Sequence, residues 1–174
     1  MKVKNFHLSI LLIVTAIHAD AQSALEQAMA SYQAGEYAKA LSNVEIAVSQ
    51  HASPDALMLR ADCLQKLGDY SKALDEYDKA KSSGYAKDDL LINRGICKTT
   101  LGLMESARLD LLEYIRRNEE DPRGYYWMGQ LEYLNMENKA SLRYLDEALW
   151  RDSTYADAYY LRAANYADQR KLNL

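Results

Sequence analysis

The sequence predicts an all-α fold, an α-solenoid of helical hairpins with about four repeats and a terminal helix, on three observations. A glycine slot recurs at Gly35, Gly68 and Gly102, 33 and 34 residues apart, and Met136 and Arg170 continue the series at 34. Small residues keep the same spacing on both sides of it. Ala28, Ala61, Gly95, Gly129 and Ala163 lie before it; Ala40, Ala73, Ala107 and Ser141, then Ala47, Ala80 and Ala148, lie after it, with Tyr114 the large residue in the last series. The only two prolines, Pro54 and Pro122, stand where a repeat begins and interrupt no predicted helix. A period of this length marks stacked supersecondary units, none of which can bury its apolar face alone.

The first segment is not part of the repeats. Lys2 and Lys4 precede an uncharged apolar run, Leu8 to Ile17, and Ala19 and Ala21 then form an A-x-A site. That pattern predicts a signal peptide over residues 1–21, removed after Ala21 to leave Gln22 first. The run is too short to span a bilayer comfortably, and no cysteine follows it to take a lipid. An uncleaved anchor, or the opening of the first helix, is the alternative.

Repeats are then predicted at about 22–53, 54–87, 88–121 and 122–155, with a partial one at 156–174. In each, helix-favouring residues run up to the glycine slot, which suits a left-handed residue ending one helix, and a second amphipathic run follows. Leu74, Tyr77 and Ala80 mark the apolar stripe of that second helix in the second repeat. Ser53 before Pro54 and Asp121 before Pro122 are the expected N-caps. Met136, replacing the turn glycine, predicts a longer or differently shaped turn in the fourth repeat. The tail from Tyr155 to Leu174 predicts the first helix of a fifth repeat and the opening of its second. That edge is either capped by Arg170 and Lys171 or belongs to a fragment of a longer protein.

The small residues have a packing reason. In "LGDYSKALDEYDKA", Leu67 to Ala80, Ala73 and Ala80 sit where neighbouring helices press in, and Tyr70 and Tyr77 fill the wider gaps. A bulky residue at either alanine is expected to cost about 1–3 kcal/mol. Tyr114 in the equivalent slot of the third repeat predicts looser packing there and a wider angle to the fourth. Cys63 and Cys97, 34 residues apart at equivalent points of two repeats, are expected as buried thiols, since neighbouring helix axes lie about 8–10 Å apart and a disulfide needs Cα atoms within about 7 Å.

At Leu57 to Ala80, "LMLRADCLQKLGDYSKALDEYDKA", the chain resembles a tetratricopeptide repeat. The second repeat supplies Leu57, Arg60, Ala61, Leu64, Gly68, Tyr70, Ala73, Tyr77 and Ala80, and the fourth Tyr125, Met128, Gly129, Leu145, Ala148 and Asp152. The resemblance covers nearly all of residues 22–174. It implies a superhelix whose first helices line a concave groove, used to bind a protein or peptide.

No chemistry competes with that reading. Outside the predicted signal, His51 is the remaining histidine, placed at a helix end where its charge would favour the dipole. G-x-x-x-x-G-K-[ST], H-E-x-x-H, G-x-S-x-G and C-x-x-C are absent from the sequence. "NEEDP", Asn118 to Pro122, lacks the calcium-loop pattern and reads as a solvated turn. Neither an enzyme, a cofactor nor a metal site is expected. Removing residues 1–21 takes away two lysines and one aspartate and moves the net charge from −4 to −5. An acidic chain without a basic block is a poor partner for nucleic acid or an anionic membrane, and no integral membrane segment remains after signal removal.

The expected function is therefore a non-catalytic, exported adaptor, periplasmic or secreted, in the bacterial cell envelope. Its candidate groove residues are Tyr32, Met58, Asp62, Asn93, Arg123, Tyr126, Gln130, Tyr133 and Tyr160. Tyrosine joins an apolar face to a polar tip and is favoured where partners dock, though the family also packs its cores with aromatics. A carboxylate clamp, with groove-facing lysines and asparagines on three successive repeats, is not expected: the comparable places hold Leu25, Met29, Met58, Asp62, Asp89, Ile92 and Asn93. The alternatives are a glycan or peptidoglycan binder stacking sugars on Tyr126, Tyr133 and Tyr160, or a fragment of a larger envelope protein whose activity lies beyond residue 174; self-association through the open C-terminal edge is a further partner expectation.

Overall fold

The computed structural model describes residues 20–172, which contain nine helices and no strand. They fall into two compact units, Met1–Ala86 and Lys87–Leu174. The described part of the first holds α1 (residues 20–33), α2 (Tyr37–Gln50), α3 (Pro54–Lys66) and α4 (Tyr70–Ser82). The second holds α5 (Asp89–Thr100), α6 (Met104–Arg117), α7 (Pro122–Leu134), α8 (Asn138–Arg151) and α9 (Ala156–Leu172). Odd-numbered helices are the first of a repeat and even-numbered ones the second. The predicted signal lies outside the described residues apart from Asp20 and Ala21, which are helical. No helix among the described residues is long and apolar enough to cross a membrane.

The helix ends follow from the residues placed there. Ser53 Oγ accepts from the Ala56 N–H at 3.2 Å, and the Asp121 carboxylate accepts from the Arg123 N–H at 2.9 Å, so both proline-led helices are capped as expected. Each first helix of the four full repeats ends in one motif. Its last carbonyls accept from the left-handed residue and the residue after it: Ser31 from Glu36, Leu64 from Asp69, Lys98 from Leu103, and Glu132 from Glu137, all at 2.8–2.9 Å. Gly68 and Gly102 supply the left-handed residue at φ 84° and 76°.

Met136 does so at φ 62°. The altered turn expected in the fourth repeat is therefore not found. The hydrogen-bond pattern of the turn outweighs the steric penalty of a Cβ, and the Met136 side chain stands out in solvent, 84 % exposed.

In the first unit Ala28, Val44 and Ala56 form a buried cluster from α1, α2 and α3, with Leu25, Leu41, Val48 and Leu59 packed against it. Ala61, Ala73, Tyr77 and Ala80 are fully buried where α3 meets α4. In the second unit the small slots hold the helices at their closest. A Cβ on Gly95 would stand 2.6 Å from Leu111 Cδ2, and one on Gly129 2.9 Å from Leu145 Cγ. Ser141 uses its slot to donate a hydrogen bond to the Gly129 carbonyl at 2.8 Å.

Tyr114 is buried at 2 % exposure and the packing around it is tight, not loosened. The facing helix makes room: a Cβ on Gly124 would lie 3.0 Å from Tyr114 Cδ1 and 2.9 Å from Ile115 Cγ1. Its hydroxyl donates to Asp121 at 2.5 Å. The tail also differs from expectation. α9 runs unbroken through the slot of Arg170 to Leu172, where the opening of a second helix was expected.

Ion pairs repeat with the fold. Arg60 of α3 pairs with Glu76 of α4. At the equivalent slots Arg94 of α5 lies 3.6 Å from Asp110 of α6, which also takes Lys98 at 2.6 Å, all three side chains being about nine-tenths buried. Arg108 of α6 pairs with Glu132 of α7. Cys63 and Cys97 are buried free thiols, and burial, with Asp62 beside it, pushes the Cys63 thiol up to about 12.

Candidate functional site

The predicted groove residues of the first unit are mostly built into its packing. Met58 is only 3 % exposed, because α3 is contacted by both α2 and α4 and so buries Leu57, Met58 and Ala61 together. Asp62 accepts a hydrogen bond from the Tyr77 hydroxyl at 2.6 Å. Tyr32 is half-buried with its ring edge-on to Tyr37, centroids 5.3 Å apart. Burial first, and then the Asp62 charge, hold its hydroxyl above the ordinary tyrosine range.

The second unit brings several of the others together. Pro122 starts α7 one residue before Arg123, whose guanidinium reaches back: Nε donates to both Asp121 carboxylate oxygens at 3.0 Å, and Nη2 donates to the Tyr114 hydroxyl at 2.8 Å. One turn further along α7, Tyr126 meets Tyr155 at the entry to α9, ring centroids 5.1 Å apart and planes tilted by 49°. Tyr126 is held from the other side by Trp127, edge-on at 5.3 Å. Both tyrosines are half-buried against the core cluster of Tyr125, Leu145, Ala148, Leu149, Ala158 and Leu161.

The electrostatics of this wedge have a clear sign. Burial raises the Tyr126 hydroxyl and Asp157 raises it further. Tyr155 is pushed up to about 12 by burial, with Tyr126 and Asp157 adding to it and Arg123 working against it.

Further along, the Tyr133 hydroxyl donates to Asp168 of α9. Tyr160 stands beside it, 80 % exposed. Gln130 of α7 and Asn93 of α5 are half-buried. Of the tyrosine trio, then, Tyr126 and Tyr133 are anchored by internal contacts and Tyr160 is open. The "NEEDP" turn commits Asp121 to capping α7 and holding Arg123.

Tyr155, Asp157 and Asp168 were not among the candidates. A signal for Asp157 was present in the period: Asp55, Asp89, Arg123 and Asp157 share one slot of successive repeats. Acids in a first helical turn usually just complement the dipole, which hides that signal. Tyr155 precedes its helix and follows no periodic slot of aromatics.

Stacked helical hairpins that present an aromatic face of this kind define a helical-repeat scaffold. Residues 25–88 match the tetratricopeptide repeat family, and the chain as a whole has the fold of tetratricopeptide-repeat proteins. Among solved structures it is similar to YrrB, a tetratricopeptide-repeat protein with an unusual peptide-binding site, at 21% identity over 87% of this chain and 78% of that one, TM-score 0.70. It is also similar to MamA from Desulfovibrio magneticus RS-1, at 16% identity over 88% and 95% of the two chains, TM-score 0.70. PilF from Pseudomonas aeruginosa matches at 19% identity over 90% and 72%, TM-score 0.72. These likenesses establish the fold. No curated protein matches the sequence.

Proposed function

We propose that this protein is a non-catalytic scaffold of the bacterial cell envelope that binds a protein or peptide through the first-helix face of its repeats. The observation that carries the reading is the α7–α9 face, where the half-buried Tyr126 and Tyr155 form a fixed wedge and the ring of Tyr160, near Tyr133, stands open. Rings already held by the core lose little entropy when a segment docks on them, and tyrosines are enriched at the centres of interfaces. The tetratricopeptide fold, and the peptide-binding site ascribed to YrrB, lend support by analogy. Export is proposed from the pattern at residues 1–21.

A crosslinking pull-down from native envelope tests the binding. The wild-type chain is compared with a Tyr126→Phe, Tyr155→Phe, Tyr160→Ala variant, which removes two hydroxyls and one exposed ring and leaves the buried rings in place. A protein captured by the first and lost by the second supports the reading. Equal capture by both, or retention on cell-wall sacculi instead, overturns it. Export is checked separately by the mass of the recovered chain, which should begin at Gln22.

A further inference from the structure

The wedge between α7 and α9 carries more information than the presence of aromatics. Among the described residues, neither the Tyr126 nor the Tyr155 hydroxyl has a hydrogen-bond partner in the protein, although both rings are half-buried and fixed. Asp157, two residues beyond Tyr155 in the first turn of α9, is exposed and pairs with no cation among the described residues. Its charge reaches both phenols and makes each harder to ionise.

The neighbouring positive charge is already spent. Arg123 gives Nε to both oxygens of Asp121 and Nη2 to Asp121 and Tyr114. The local balance at the wedge is therefore one uncompensated carboxylate. A group docking over it meets the exposed parts of two tyrosine rings already in contact with each other, two phenol oxygens able to accept, and that carboxylate. An anion would face Asp157 with no open cation to hold it, and a neutral apolar group would bury the phenol oxygens without a partner.

A planar cation fits each of these features. Guanidinium stacks on aromatic faces, offers five donors in a fixed fork, and pairs with carboxylate through two parallel hydrogen bonds. The second unit makes the same contact internally, with the Arg151 guanidinium 3.7 Å from the Tyr125 ring centroid while its Nη1 bonds Glu147 at 2.6 Å.

We propose that the Tyr126–Tyr155 wedge receives an arginine side chain of a docked peptide segment, its guanidinium stacked on the rings and paired with Asp157. The proposal rests on the peptide-binding reading of the same face and adds its chemistry: the partner segment is basic at this position.

The test is a 1H–15N titration of the intact chain with three probes, acetyl-Gly-Arg-Gly-amide, its citrulline counterpart and its glutamate counterpart. Citrulline keeps the shape of arginine and removes the charge. The arginine probe should shift the amides of residues 123–126 and 155–157 saturably, and the citrulline probe should bind about tenfold more weakly or less, as expected for loss of a charge-assisted pair. Asp157→Asn should reduce arginine binding to the citrulline level while leaving the remaining cross-peaks in place, and raising the salt should weaken only the arginine probe.

Equal binding of arginine and citrulline, preference for glutamate, or shifts elsewhere or not at all would overturn the inference. If the titration fails while envelope capture still depends on the wedge hydroxyls, the binding reading stands and only its arginine chemistry falls. If both fail, both fall.

Discussion

Gly124 leaves the space that Tyr114 occupies. A Cβ at Gly124 would come within 3.0 Å of the Tyr114 ring, and the slot that holds alanine in the other repeats holds tyrosine here at 2 % exposure. In the fourth repeat the corresponding contact pairs Ala148 with Ala158, both fully buried. Glycine facing tyrosine takes the place of alanine facing alanine, and the missing Cβ gives part of the room that the ring needs.

Gly124→Ala should therefore destabilise the second unit by about 1–3 kcal/mol through overpacking, despite the better helix propensity of alanine. Combined with Tyr114→Ala the penalty for Gly124→Ala should shrink, because the ring it collides with is gone. Urea unfolding of the two single variants and the double variant reads this coupling. Additive losses would contradict the volume exchange.

Met136 holds a left-handed backbone at φ 62° that costs a residue with a Cβ about 1–2 kcal/mol. Met136→Gly should stabilise the protein and raise its thermal midpoint by about 2–4 °C, some of the gain being offset by the greater freedom of glycine in the unfolded chain. Calorimetry decides it, and a lowered midpoint would mean that the methionine side chain contributes something its 84 % exposure hides.

Asp110 is shared by Arg94 and Lys98 in a largely buried cluster. Asp110→Ala takes away the carboxylate and leaves the cations where they are, so a loss of about 3–5 kcal/mol is expected in denaturant unfolding. Replacing Asp110, Lys98 and Arg94 together by leucine and two methionines should lose less than the single change, since the desolvation of all three charges disappears with them.

Alkali should loosen the second unit through its buried tyrosines. Tyr114 and Tyr155 are each pushed up to about 12, first by burial, with the Asp121 hydrogen bond next for Tyr114 and Tyr126 next for Tyr155. An acid whose proton is held more tightly in the folded state gives stability that is complete below the unfolded tyrosine value near 10. That stability is lost as pH climbs from about 10 towards 12. Phenolate absorbance and unfolding free energy followed together across that range should show this. Tyr155→Phe should flatten the fall in stability, and an unchanged slope would remove Tyr155 from the account.

The repeat was legible because packing punishes errors at every turn of the stack. Ala61, Ala73 and Ala80 could be found by spacing alone, and so could the caps at Ser53 and Asp121, since each is fixed by the backbone within a few residues of itself. The site was less legible. Arg123, Tyr126, Tyr133 and Tyr160 lie on α7 and α9, the first helices of their repeats, as the period implies. Met58 was placed on a surface that neighbouring helices cover, and nothing local to Met58 reveals those neighbours. Tyr155 stayed hidden because its importance lies in a contact with Tyr126, 29 residues away.

The amino-acid order by itself determined the all-α class, the hairpin unit, its period and where each unit turns, since these follow from propensity, caps and residue size acting over short stretches of chain. Only the tertiary structure decided that Met136 could keep a glycine's turn, that Gly124 repays the bulk of Tyr114, and that α9 continues through Arg170. It also decided that Tyr126 and Tyr155 share a wedge in which Asp157 is the charge left over. Each of these depends on which atoms from distant parts of the sequence are pressed together. Steric fit and charge balance are properties of that assembly, and the period is silent about them.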